Sequence, residues 1–196
     1  MSELFPISLK LPGGFSYHEN FLTREEEQHL LNLILGVDLH PMMFQGYEAK
    51  RKVASFGFDY NFDNRKLTVG KPIPLEFNPL IEKVSRHLPI DPSEVAELLI
   101  TEYPVGSVIN WHRDAPPFDL IAGISLSADC IFKLRPHAKA KQTRKATVSF
   151  TVARRSLYVM SGISREEWQH STAPLDQVRY SITLRTLKKE GTSLVK

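Results

Sequence analysis

A single cysteine, Cys130, stands in 196 residues, so no disulfide can close within the chain and no zinc centre built on several thiolates can form. The disulfide-scaffold class is excluded, and a reducing compartment is the natural home. Charge of one sign is lacking as well: 25 Lys and Arg against 22 Asp and Glu leave +3, too little to name a partner. No uncharged run is long enough to cross a bilayer, and the opening Met1 to Pro6 has no basic segment followed by an apolar stretch. These absences read as a cytoplasmic chain with no membrane partner. Repeats, heptads and low-complexity stretches are missing too, so residues 1–196 are expected to form one domain, acting as a monomer. With 42% hydrophobic and 24% charged residues, that domain can bury a sizeable core.

Two helices and then a β-rich region are legible. Thr23 followed by Glu26 is a capping-box pattern with acidic residues at the positive end of the dipole, and Leu30, Leu31, Ile34 and Leu35 make an apolar stripe ending at Gly36. A second helix opens at Asn78 with Pro79 in its first turn, carries Leu80, Val84 and Leu88 on one face, and stops before Pro89. From about Glu97 short β-rich runs follow one another: Leu98–Tyr103, Val108–His112, Leu120–Ser127, Ile131–Leu134, Thr147–Val152, Leu157–Met160 and Tyr180–Leu187. An earlier run, Val53–Phe62, has the same character. Such strands without alternating helices argue for antiparallel pairing. The expected fold is mainly β with flanking α: a double-stranded β-helix, or jelly-roll barrel, with the N-terminal helices packed on one sheet.

Chemistry enters at His112-Arg113-Asp114. Residues two apart on a strand point to the same face, so His112 and Asp114 can reach one ion while Arg113 faces away. His170 could bring a second imidazole from a distant strand. Two histidines and one carboxylate would then fill one face of an octahedral Fe(II) and leave three positions for a chelating cosubstrate and O2. The plainer reading makes these histidines ordinary polar residues near strand ends. The last strand carries Arg179, Ser181, Thr183 and Arg185 on one face and Tyr180, Ile182 and Leu184 on the other. If its polar face lines a cavity, two guanidinium groups there call for anions, which a dicarboxylate supplies. The alternative is an amphipathic edge strand with solvated arginines.

The order Tyr103-Pro-Val-Gly106, Trp111-His-Arg-Asp114, Arg155 through Gly162, Arg165-Glu-Glu-Trp168-Gln-His170, then Arg179 through Arg185, resembles the AlkB family of Fe(II)- and 2-oxoglutarate-dependent dioxygenases over roughly Arg51 to Leu187. The resemblance implies His112, Asp114 and His170 as catalytic iron ligands. It implies Arg179 on the distal carboxylate of 2-oxoglutarate with Tyr103 beside it, and Arg185 near the carboxylate that chelates the metal. Thr101 and Ser181 stand where the family usually has Asn, and hydrogen-bond with shorter reach. The implied cosubstrates are 2-oxoglutarate and O2.

On the substrate side, Phe56, Phe58, Tyr60 and Phe62 alternate along one run, with Arg51 and Lys52 just before them. In the family the corresponding segment, 51–70 here, is part of a lid over the target base, and 97–187 would form the catalytic jelly roll. Aromatics beside basic residues suit stacking on a flipped base; equally, a period-2 aromatic face is the buried side of a strand. From Cys130 to Arg165 there is no acidic residue and nine Lys or Arg. Lys139, Lys141 and Arg144 fall in a stretch that reads as a basic hairpin loop suited to a phosphate backbone, or else as a solvated loop, and Arg165 is a further substrate candidate. Three functions follow for test. The first is oxidative demethylation of alkylated bases in DNA or RNA. The second is hydroxylation of a modified tRNA nucleoside or a protein side chain. The third is a non-catalytic basic β-domain that binds nucleic acid.

Overall fold

The structure, a computed structural model, describes residues 11–44, 47–61 and 64–189. Phe62, the fourth aromatic of the alternating run, lies outside the described residues.

The first helix, α1 (Arg24–Leu35), starts where its caps dictate. Glu26 N–H donates to Thr23 Oγ1 at 3.1 Å and Thr23 N–H to Glu26 Oε2 at 2.7 Å, which satisfies two donors that the helix itself leaves open. Leu30 and Ile34 are buried, whereas Leu35 is 77% exposed, one step too far around the helix to reach the core. The second, α2 (Asn78–His87), buries Leu80, Ile81 and Val84. A third helix, α3 (Gly162–Glu166), is a five-residue turn that apolar periodicity does not announce.

Eleven strands complete the described fold: β1 (Phe15–His18), β2 (His40–Phe44), β3 (Tyr47–Asn61), β4 (Lys66–Val69), β5 (Val95–Tyr103), β6 (Phe118–Leu126), β7 (Cys130–Pro136), β8 (Val148–Val152), β9 (Leu157–Met160), β10 (Trp168–Thr172) and β11 (Arg179–Leu187). The larger sheet runs β1-β9-β6-β11-β5-β3-β2, with β4 on β3, and the smaller runs β10-β7-β8; every pairing is antiparallel. One core lies between α1, α2 and the outer face of the larger sheet, around Val84, Leu98, Ile100, Ile124 and Ile182. A second lies between the sheets, around Phe118, Phe132, Leu134, Val152 and Met160. This is the jelly roll, with both long helices on one sheet. No helix among the described residues is long and apolar enough to cross a membrane.

Val108–His112 is not a strand. It meets β10 in a single bridge, His112 with His170, because side chains take over part of the ladder: Ile109 N–H bonds Thr172 Oγ1 of β10 and the Asn110 carbonyl bonds the His112 ring. Within the larger sheet, β11 keeps strict alternation. Ile182 and Leu184 join the helix-side core, while Arg179, Ser181, Thr183 and Arg185 face the smaller sheet in register with Tyr103, Thr101, Leu99 and Glu97 of β5.

Two glycines make room for that inner face. Gly57, at φ +85°, is where β3 leaves β5 for β4; a Cβ there would stand 2.2 Å from the Ala96 carbonyl oxygen. The turn in the strand carries Phe56 into the helix-side core and Tyr60 towards the other. Gly123 lies opposite Tyr158, whose ring crosses the space a side chain would fill, 2.1 Å from an ideal Cβ. Gly123→Ala should therefore overpack a buried ring and cost about 1–3 kcal/mol, read as a lowered melting temperature; an unchanged melt would mean that the Tyr158 ring moves freely.

Candidate functional site

His112 and Asp114 lie on the link between β5 and β6, and His170 on β10. Reciprocal backbone bonds, His112 N–H to His170 O at 3.1 Å and His170 N–H to His112 O at 2.9 Å, bring the two histidines side by side. Their ring centroids are 4.1 Å apart, and His170 Nε2 is 3.6 Å from Asp114 Oδ2. One ligand atom from each of the three residues falls within 4.8 Å of the others, so the group could hold a metal ion. The three sequence candidates are thus brought together.

Their surroundings prepare them as ligands. His112 Nδ1 donates to the Asn110 carbonyl at 2.8 Å, which leaves Nε2 with its lone pair free. His170 stacks on Phe132 with centroids 5.4 Å apart, and burial, followed by the neighbouring His112, pushes its pKa down to about 3. Burial likewise lowers His112. Both rings therefore stay neutral around pH 7, the state that ligates. Burial alone would raise Asp114, but the charge of Arg185 beside it outweighs burial and holds the carboxyl well below the usual range.

Arg185 is the bracket of the site. Its Nη2 donates to Asp114 Oδ1 at 2.6 Å and its Nη1 to Glu97 Oε2 at 2.5 Å, while Ser55 Oγ donates to Glu97 Oε1 at 2.9 Å. Asp114 is left with Oδ2 turned towards His170. Arg179 is different. Its Nε donates to Ser125 Oγ at 3.0 Å and its guanidinium lies 5.1 Å from the centre of the Tyr103 ring, whose hydroxyl is 3.3 Å from Ser181 Oγ. Arg179 is 3% exposed, and among the described residues no carboxylate pairs with it. A buried guanidinium without an anion is costly, and an acidic ligand would offset that cost.

A cavity of about 400 Å³ opens onto His112, Asp114 and Arg185, with Glu97, Leu99 and Thr101 of β5 along its floor and Met42, Arg51 and Tyr60 of β2 and β3 at its side. Of the substrate candidates, Arg51 and Tyr60 line it. Phe56 packs against the helix-side core, and Phe58 pairs with Val69 of β4, so neither lines it. Arg165 is buried behind the segment that carries Asp114, its Nη2 donating to the carbonyls of Asp114 at 3.2 Å and Ala115 at 2.6 Å. It therefore braces that segment from α3 and does not face the cavity. Lys139, Lys141 and Arg144 are exposed on the connection between β7 and β8. Sequence reasoning missed Glu97, Ser55 and Ser125; an acid among the apolar residues Val95 to Ile100 was the available signal for the first.

The family model described as the 2OG-Fe(II) oxygenase superfamily matches residues 14–185. Among curated proteins, tRNA (carboxymethyluridine(34)-5-O)-methyltransferase ALKBH8 of Mus musculus is 28% identical over 171 residues, 84% of this chain and 25% of that protein. Its Xenopus tropicalis counterpart is 27% identical over 177 residues, 86% of this chain and 26% of that protein. The chain thus spans about a quarter of the length of these relatives. The solved structure of OsALKBH1 superposes with a TM-score of 0.66 at 14% identity, covering 90% of this chain and 98% of that one, a likeness of fold. With the matched segment running through every strand of the jelly roll and the AlkB-like resemblance recurring in relatives and fold, the chain belongs to the 2OG-Fe(II) oxygenase superfamily, whose reactions use Fe(II), 2-oxoglutarate and O2.

Proposed function

We propose that the protein is an AlkB-type dioxygenase that oxidatively demethylates alkylated bases in DNA or RNA. One observation supports this reading: His170, grouped with the cavity-lining His112 and Asp114, lies on β10 against β7, the strand that leads into an exposed connection, residues 137–147, free of acidic side chains. His170 pairs with Leu134, three residues before that connection begins, roughly 10 Å away at 3.3 Å per residue. A base in the cavity would leave its strand beside Lys139, Lys141 and Arg144.

In this reading His112, Asp114 and His170 hold the iron, and Arg179, with Tyr103, Thr101 and Ser181 around it, takes the far carboxylate of 2-oxoglutarate. Bound there, iron with 2-oxoglutarate and O2 supplies the oxidation of a C–H bond, with 2-oxoglutarate converted to succinate and CO2. The chain does the positioning. Asn110 fixes the His112 tautomer, Arg185 occupies one Asp114 oxygen so that the other is presented, and Arg165 holds the Asp114 and Ala115 carbonyls from behind. Leu99, Ile109 and Phe118 keep the cavity wall apolar and limit water. An N-methyl group hydroxylated there would lose formaldehyde and leave the demethylated base, with N–H in place of N–CH3, in its strand. Segment 51–70 serves as the cover and 97–187 as the catalytic core of one domain.

A second reading, hydroxylation of a modified tRNA nucleoside, is favoured by the ALKBH8 relatives, which are methyltransferases of a tRNA carboxymethyluridine. The deciding assay supplies Fe(II), 2-oxoglutarate and ascorbate with methylated single-stranded DNA, methylated RNA or tRNA, and follows methyl loss, added oxygen and succinate by mass spectrometry. Methyl loss coupled to succinate is expected; added oxygen without methyl loss would move the function to hydroxylation, and no succinate with any substrate would remove both readings. Reversing charge at Lys139, Lys141 and Arg144 together should weaken oligonucleotide binding more than tenfold and flatten its salt dependence by roughly 2 in log–log slope, at about 0.7 per phosphate contact. The 2-oxoglutarate affinity should stay as in the parent. Unchanged oligonucleotide titrations at low salt would assign the loop to solubility alone.

A further inference from the structure

Beside the large cavity lies a smaller one of about 270 Å³, lined by Ala49, Lys50 and Arg51 of β3, by Tyr103, and by Gly106, Ser107 and Val108 of the turn after β5. We infer that this cavity is an oxyanion subsite, built from Lys50, Arg51 and Ser107, that takes a phosphate of the nucleotide whose base occupies the large cavity; the phosphate source rests on the nucleic-acid function proposed above.

Three observations converge on it. Ser107 is 3% exposed and its Oγ has no hydrogen-bond partner, a state that costs about 1–3 kcal/mol unless a ligand or water fills it. Lys50 and Arg51 have no carboxylate partner among the described residues, in contrast to the next residue, Lys52, which pairs with Glu102 at 3.4 Å. The hydrogen bond of Arg51 goes to Met42 Sδ, a soft acceptor that leaves the guanidinium charge uncompensated. Donors without acceptors thus gather where β3 meets the turn, and the ligand they lack is an anion rich in acceptor oxygens.

The layout suits a nucleotide. Arg51 lines both cavities, so the small one adjoins the large one, as a phosphate adjoins its base. Gly106, at φ +76°, lets the turn adopt a left-handed conformation beside Lys50, whose Nζ would lie 3.8 Å from a Cβ built there. At about 270 Å³ the space falls just below the usual range for a whole small-molecule site and suits one oxyanion group with its waters.

The test uses the full chain, the variants Ser107→Ala and Lys50→Gln singly and together, and an oligonucleotide in which the phosphate next to the target base is replaced by an uncharged methylphosphonate. In the double variant the KM for the methylated oligonucleotide with an all-phosphate backbone should rise 10- to 30-fold while the KM for 2-oxoglutarate stays within twofold. The methylphosphonate should impose a similar rise on the parent and little further rise on the double variant, the non-additivity expected of contacting partners. Equal oligonucleotide KM values in parent and variants would overturn the subsite, and so would a rise confined to 2-oxoglutarate, which would assign these donors to the cosubstrate. Should the parent oxidise no oligonucleotide, the functional reading fails separately. The subsite is then judged on inorganic phosphate: saturable binding to the parent that Ser107→Ala abolishes would support an oxyanion site, and none would overturn it.

Discussion

Replacing Asp114 by alanine should lower 2-oxoglutarate turnover at least a thousandfold and remove measurable affinity for Fe(II) or its spectroscopic substitute Co(II). Asp114 is the one anionic member of the three-residue group, and its Oδ2 faces His170 at 3.6 Å while its Oδ1 is held by Arg185 at 2.6 Å. Alanine leaves two neutral imidazoles, a poor site for a hard divalent ion that wants carboxylate oxygen. The effect on the fold should be smaller, because Arg185 keeps its other bond, to Glu97. Loss of metal affinity with a melting temperature shifted by only a few degrees is therefore the expected pair of results, from calorimetry of Co(II) binding and a thermal melt. Asp114→Asn sharpens the test, since it keeps the shape and removes the charge. If either variant retains turnover, the metal assignment is wrong; a parent without turnover whose oligonucleotide binding is the same in both variants would instead favour the basic nucleic-acid-binding domain without catalysis.

What could be seen in the sequence and what could not follow from how each residue is constrained. His112 and Asp114 were legible because a shared ion demands two ligand types on one side of an extended segment, and Arg179 and Arg185 because β11 is regular enough for alternation to predict its faces. Glu97 was hidden by separation. Its partner Arg185 is 88 residues away, and only the register of β11 on β5 puts the two opposite each other. Phe56 and Tyr60, four apart, should share a face; the change of partner strand at Gly57 sends them to different cores, and no pattern of apolar residues encodes that. Arg165 sits on a helix too short to show periodicity, so its charge alone suggested a substrate role, whereas its bonds go to the carbonyls of Asp114 and Ala115. Leu35 and the segment Val108–His112 failed for a related reason: neighbouring side chains and helix phase decide them, and propensity cannot.

Arg179→Met should raise the KM for 2-oxoglutarate about 100- to 1000-fold, the range expected when one partner of a buried charged pair is removed at roughly 3–4 kcal/mol. Metal affinity should change little, because Arg179 is not part of the three-residue group. The informative quantity is the stability of the protein without cosubstrate. Arg185 is neutralised from within by Asp114 and Glu97, so replacing it would strand two buried carboxylates and destabilise the fold. Arg179 has only uncharged partners, the Ser125 hydroxyl and Tyr103, while its charge is as deeply buried. Substituting an apolar side chain of similar length removes an uncompensated charge, and the melting temperature of the variant should hold or rise. A charge kept at the expense of stability is the mark of a group held for a ligand. Stabilisation by saturating 2-oxoglutarate, present in the parent, should be lost in the variant, as linkage requires when only the native state binds. The opposite pattern, a fallen melting temperature with an unchanged KM, would make Arg179 a structural residue and would turn the cosubstrate around in the site.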